Sequence, residues 1–208
     1  MTEHNRFHNV ALTPPNSNRI ANANLDGVVE EIRLGRLVEP NSHNLLVYDD
    51  MQSFREFYSE YAKESLTSGE ILLLASQYED VERVKRNLAF TGINVESHLS
   101  DGTLHVLDAQ KGYFGTDDVE GIIKLALSLA SKAEKERRRA LSGVADLGSF
   151  FAFHEVERMM HYELSLPQKF EQRMQTICCY HEKDFESLTQ EDGESLLAHH
   201  HKSILLKE

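Results

Sequence analysis

Four aspartates fall at the ends of apolar runs: Asp49 and Asp50 after Leu45-Leu46-Val47-Tyr48, Asp108 after Leu104-His105-Val106-Leu107, and Asp146 after Leu141-Ser142-Gly143-Val144-Ala145. Carboxylates so placed could converge on a divalent cation through hard oxygen ligands. Each could instead cap the helix or turn that follows, which is the commoner use of Asp there and the reading adopted. A second group, His154, Glu157, His161, Glu163, Cys178, Cys179 and His181, has metal-binding residue types without metal-binding spacing. Structural zinc sites separate paired cysteines by a few residues, and adjacent cysteines on a strand point to opposite faces. Buried thiols, partly exposed histidines and no metal are therefore expected, with His199-His200-His201 at most an adventitious chelator. A Cys–His nucleophile pair finds no third, orienting member.

Nucleotide hydrolysis needs a phosphate cradle, a Lys and a Mg²⁺-holding hydroxyl and carboxylate. Asp146 stands where the carboxylate could be, at the end of a Gly/Ala-rich strand, but no Gly-Lys-Ser/Thr occurs in the chain. Where the cradle would follow the first strand, Asp49 and Asp50 present two charges that repel phosphate. Hydrolase activity is not expected.

The elements that must position these residues alternate. Continuous apolar runs at 44–49, 70–75, 140–146 and 176–180, with shorter ones at 93–95 and 104–107, read as strands, and their lack of polar alternation favours a parallel sheet covered on both faces. Between them lie helical patterns. Phe54, Phe57, Tyr58 and Tyr61 form one stripe, expected in the core. In the helix at 78–90, Val81, Val84, Leu88 and Phe90 face inward and Glu79 outward, with Gly92 as terminator. A long helix from about Asp117 ends in the basic cluster Lys135-Glu136-Arg137-Arg138-Arg139, and 154–164 is a further helix. This succession predicts a doubly wound, mainly parallel α/β domain over 43–208. Residues 1–17, with Pro14-Pro15, read as a flexible tail. Residues 18–42 read as an N-terminal helical extension, either laid against the domain or serving as the contact of a homodimer.

The net charge of −12 and pI near 5.4 argue against direct nucleic-acid binding, which depends on concentrated Lys and Arg. No apolar run approaches the roughly 20 residues that span a bilayer, and the polar start of the chain does not read as a signal peptide, so a cytoplasmic protein without membrane contact is expected. Two adjacent cysteines make no disulfide framework.

Taken in order, His43-Asn44-Leu45-Leu46-Val47-Tyr48, Ser68-Gly69-Glu70-Ile71-Leu72-Leu73, Gly92-Ile93-Asn94-Val95, Ala145-Asp146, Tyr162-Glu163, Ile177-Cys178-Cys179-Tyr180 with Asp184-Phe185, and His201 with Ile204-Leu205 resemble the MEDS domain, the methanogen/methylotroph DcmR sensory domain. The resemblance covers about 43–206. It implies a degenerate relative of the RecA/KaiC-type ATPase fold, without a P-loop, that senses small organic molecules and is sometimes joined to a DNA-binding or histidine-kinase module. No such module is recognisable here, and Lys202 stands where the family often has Pro.

These strands imply a ligand pocket at their ends, formed by Tyr48, Asp49, Asp146, Glu163 and Tyr180 with His43 at the rim; tyrosines finishing the sheet and a glutamate tying two helices would look the same in sequence. The expectation is a non-enzymatic sensor, without cofactor, that binds a small organic ligand and relays its state to a regulatory protein such as a histidine kinase or transcription regulator, the helix at 18–38 reporting it. Alternatives are a ligand-free pseudo-ATPase interaction module and a cryptic nucleotide-binding ATPase.

Overall fold

The structure of the chain, a computed structural model, describes residues 38–115 and 118–206. The expected tail and nearly all of the N-terminal extension lie outside the described residues. The last residues of that extension are not helical: Pro40 and Asn41, the latter at φ 62°, turn the chain into a single bridge between Ser42 and Lys169.

Six strands form one parallel sheet: β1 (His43–Tyr48), β2 (Ile71–Ser76), β3 (Leu104–Asp108), β4 (Leu141–Asp146), β5 (Met174–His181) and β6 (Lys202–Leu206), in the order β3-β2-β4-β5-β1-β6. β1 and β2 are buried along their whole length, as continuous apolar strands between two neighbours must be. Alternate residues serve opposite faces. Leu46, Tyr48, Val144, Ile177 and Cys179 pack with Phe54, Phe57, Tyr58 and Tyr61 of α1 (Met51–Thr67) and with Val84 and Leu88 of α2 (Val81–Phe90). Leu45, Val47, Cys178 and Tyr180 pack on the other face with Phe150 of α6 (Gly148–Ala152) and Met159, Met160 and Tyr162 of α7 (Val156–Ser165). On that face α5 (Asp118–Lys135) lays Leu129, Ala130 and Ala133 against Ile71, Leu73 and Leu141. The two cysteines thus face opposite ways, as expected for neighbours in a strand.

Several local expectations need correction. The run 93–95 is no strand: Asn94 caps α3 (Val95–Ser100), its side chain accepting from Ser97 N, because a cap satisfies backbone donors that so short a strand would leave open. The other short elements are α4 (Ala109–Phe114), α8 (Glu182–Glu186) and α9 (Gln190–His199). α7 begins at Val156 since His154, at φ 59°, is in a left-handed conformation no helix accommodates. Phe90 is 88% exposed. It lies two residues beyond Leu88, about 200° around the helix. Glu79 is buried, because Arg55 and Arg83 pair with its Oε1 at 2.7 and 3.0 Å and Tyr58 donates to its Oε2 at 2.8 Å, tying α1 to α2. β6 escaped the sequence reading because it is a short, half-exposed strand that, among the described residues, pairs with β1 alone.

Capping also settles two of the aspartates. Asp50 accepts from Gln52 N and Ser53 N at the start of α1, and Asp108 from Lys111 N at the start of α4. Asp50→Ala should cost about 1 kcal/mol in chemical unfolding, the loss of one N-cap. No helix among the described residues is long and apolar enough to cross a membrane.

Candidate functional site

The six residues expected in one pocket divide between the two ends and the two faces of the sheet. His43 opens β1 opposite Thr176, whereas Tyr48 closes it opposite His181, about 16 Å further along the strand. Tyr48 belongs to the α1 face; Cys178 and Tyr180 belong to the α7 face. His43 and Glu163 therefore fall in one polar centre and Tyr48 and Asp146 in another, because strand parity and strand end both differ, while Asp49 follows the end of β1 and Tyr180 packs against Phe151 and Phe185.

At the C-terminal end, Asp146 is fully buried. Its Oδ1 accepts from Gly148 N at 3.0 Å, and its Oδ2 from Gln77 N and the Tyr48 hydroxyl, both at 3.4 Å. Burial pushes its carboxyl up to about 7, against the pull of those donors. Tyr48 stacks on Phe54 with centroids 4.2 Å apart, and burial beside the Asp146 carboxylate raises its phenol. The Tyr78 ring lies against Gly148, where a Cβ would come within 2.7 Å of its hydroxyl oxygen, and Tyr78 donates to Asp184 at 2.6 Å. Asp146 thus spends its oxygens on the chain's own donors. Nothing here offers the backbone cradle and lysine that phosphoryl chemistry requires.

At the N-terminal half of the sheet, His43, Glu163, Cys178 and His200 converge from four elements: the start of β1, the last turn of α7, the middle of β5 and the turn between α9 and β6. All four are buried. His200 Nε2 lies 2.8 Å and His43 Nε2 3.4 Å from Glu163 Oε2, and His43 Nε2 lies 3.3 Å from Cys178 Sγ. The two imidazoles lie with centroids 4.2 Å apart, their planes tilted by 53°. His200 Nδ1 bonds to the Leu196 carbonyl at 2.7 Å, so it carries a proton. Burial opposes ionisation of Glu163, but the hydrogen bonds from His200 and His43 outweigh it and hold the carboxyl well below the usual range. Burial lowers His43 against the pull of Glu163; burial and then the Glu163 charge raise the Cys178 thiol. Among the described residues, His43 Nδ1 and Glu163 Oε1 have no hydrogen-bond partner.

Sequence spacing missed this centre. Of the residues weighed beside Glu163, His154, Glu157 and His161 are exposed, and His181 accepts from Lys183 N at the start of α8. Only Cys178 joins it. The histidine triplet has three separate roles: His199 bonds to the Leu166 carbonyl, His200 to Glu163, and His201 to Glu39. Adjacency in the chain was the one signal, and it could not say which of the three points inward.

Beside this centre lies a cavity of about 270 Å³, between α5, the end of α7 and strands β2, β4 and β5. Its walls include Ile122, Ala126, Ala145, Tyr162, Leu166 and Phe170; Thr176 and Cys178 line it from β5. The Thr176 hydroxyl is buried without a partner among the described residues. None of the six residues expected from the sequence lines it. A mainly apolar chamber of this size suits a small, largely neutral molecule.

Comparison with curated proteins gives no match. Among solved structures, the fold is similar to that of a KaiC-like protein, PH0186, from the hyperthermophilic archaeon Pyrococcus horikoshii OT3, with a TM-score of 0.56 and 15% identity over 78% of this chain and 72% of that one. At that identity the likeness concerns the fold: a six-stranded parallel sheet in a RecA/KaiC-like arrangement. The family model described as "MEthanogen/methylotroph, DcmR Sensory domain" matches residues 42–200, which takes in every described strand except β6 and reaches His200. The chain belongs to the MEDS family of sensory domains.

Proposed function

We propose that this MEDS-family chain is a cytoplasmic, non-enzymatic sensor that takes a small, mainly apolar organic molecule into the cavity between α5 and β4–β5 and relays its presence to a regulatory protein. The observation that carries the reading is the cavity itself, whose lining is mainly carbon. A KaiC-like sheet whose buried Asp146 accepts from the Gly148 and Gln77 backbone and from Tyr48 supports a role other than phosphate chemistry. Relay requires that the ligand bind one arrangement of α5 and α7 more tightly than another, since equal affinity for both shifts nothing.

The test is thermal unfolding of the full chain against short alcohols, ketones, haloalkanes and carboxylic acids, with Mg·ATP alongside. A fitting molecule at about 100 times its Kd should raise the midpoint by roughly 5–10 °C. Ala126→Phe, which fills the cavity from its α5 wall, should abolish that shift. Stabilisation by Mg·ATP with turnover, or a ligand shift that survives Ala126→Phe, would refute the reading.

A further inference from the structure

Proton bookkeeping around Glu163 leaves a place for a cation. His200 Nδ1–H is committed to the Leu196 carbonyl, so a neutral His200 turns the lone pair of Nε2 toward Glu163 Oε2 at 2.8 Å, acceptor against acceptor. Only a positive charge between them, a proton or a metal ion, makes that contact favourable in a site shut off from water. His43 Nε2 faces both Glu163 Oε2 and Cys178 Sγ; as a neutral imidazole it can donate from Nε2 to Glu163, and it would ligate an ion from that atom once its proton moved to Nδ1. Glu163 Oε1, fully buried and unpartnered among the described residues, adds an acceptor with nothing to accept from.

We infer that His43 Nε2, Glu163 Oε2, Cys178 Sγ and His200 Nε2 form a tetrahedral site for one divalent transition-metal ion of the zinc class. The spacing fits. Ordinary zinc bond lengths at tetrahedral angles put N···O edges at about 3.3 Å and N···S edges at about 3.6 Å. The His43–Glu163 and His43–Cys178 separations are 3.4 and 3.3 Å, and all four donor atoms lie within 4.8 Å of one another. Binding must open the 2.8 Å His200–Glu163 contact by about 0.5 Å and draw in the widest edges, which reach up to 4.8 Å. Leu196 supplies the outer-shell bond that fixes the ligating tautomer of His200.

The charges also balance. Without the ion, the site holds a carboxylate, an imidazolium, a neutral imidazole and a thiol. With it, carboxylate and thiolate neutralise the two positive charges, and the protons from Cys178 Sγ and His200 Nε2 leave to solvent, so affinity rises with pH. Two imidazoles, one thiolate and one carboxylate suit zinc over the all-oxygen cations Mg²⁺ and Ca²⁺. Cys178 also lines the cavity, so the centre and the cavity share one wall. The inference does not depend on what the cavity binds.

Co²⁺ is the probe, because thiolate ligation gives a near-ultraviolet charge-transfer band and a tetrahedral field gives strong visible bands. The full chain, refolded from chelator with Co²⁺ and then desalted, should retain one ion per chain and show both signatures, and Zn²⁺ should bleach them. Cys178→Ser should remove the charge-transfer band. Cys179→Ser, on the opposite face of β5, should leave it intact. A wild-type chain that retains no Co²⁺, or whose spectrum is unchanged in Cys178→Ser, overturns the site; in the first case a proton holds the cluster, and in the second the ion sits elsewhere.

Discussion

Glu163→Ala should lower the stability of the metal-free chain at pH 7 by about 3–5 kcal/mol, more than removal of a surface charge could account for. In the wild type, the carboxylate compensates a protonated His200 at 2.8 Å, both side chains at 0% exposure. Removing it leaves either an imidazolium without a counter-charge or a neutral His200 whose Nε2 has lost its partner, together with a void in the last turn of α7. Glu163→Gln keeps the volume and lets a neutral His200 accept from the new amide, so it should cost less, about 1–2 kcal/mol. Urea unfolding with chelator present separates this electrostatic role from metal binding. The pH dependence has a definite sign. Glu163 titrates lower in the folded chain than in the unfolded one, so its contribution is present above the unfolded value and is lost as pH falls through the folded value. The gap between wild type and Glu163→Ala should therefore close in strong acid. A cost under about 1 kcal/mol at pH 7 would mean that the pair is not charged.

The sheet could be read from the sequence because its physics is local. Leu45 to Tyr48 and Ile71 to Ala75 are apolar on both faces, which only a strand covered on both sides can use. The aromatic stripe of α1 follows from 3.6-residue periodicity, and Asp50 and Asp108 from cap chemistry. β6 could not be read with the same assurance: Lys202 and Ser203 are half-exposed, and what makes Ser203-Ile204-Leu205-Leu206 a strand is the open edge of β1, more than 150 positions earlier. Glu79 failed for a related reason. Its burial depends on Arg55 and Arg83 arriving from two elements, which composition alone does not disclose.

Legibility of the polar centres follows the same division. Asp146 stood out because strand ends are marked in the sequence, and its neighbour Tyr48 is recoverable from strand order. The His43–Glu163–Cys178–His200 centre is assembled from four elements whose contact depends on register and on which face each residue takes. Spacing rules for zinc describe ligands paired within one turn or hairpin, so they are silent about a site built across a sheet. The cavity was likewise invisible, since its walls are ordinary core residues: Ile122, Ala126, Leu166 and Phe170 carry no chemical signature until the backbone fails to close over them.

Asp146→Asn should make the chain more stable than wild type by about 1–2 kcal/mol at pH 8.5 and less stable by about 1–3 kcal/mol at pH 5, with the two stability curves crossing between. The crossing follows from a carboxyl that titrates near 7 in the fold and near 3.8 outside it. Between those values the folded chain binds the proton and the unfolded chain does not, so stability falls as pH rises; well above 7 the buried charge costs about 4 kcal/mol. Asn removes that cost, which is only about 1.6 kcal/mol at pH 5, but places an amide where an oxygen now accepts from Gly148, Gln77 and Tyr48, a loss that outweighs the gain in acid. Denaturant midpoints at the two pH values decide it: equal destabilisation at both would mean that Asp146 ionises without penalty. The result bears on what the fold has given up. A carboxyl near half-protonation at neutral pH, with its lone pairs turned to the chain's own donors, is a poor ligand for Mg²⁺, whereas a nucleotide hydrolase needs an ionised one at its strand end. Added Mg²⁺ should accordingly leave the wild-type midpoint unchanged at pH 7, the result that separates a structural Asp146 from the remnant of a catalytic one.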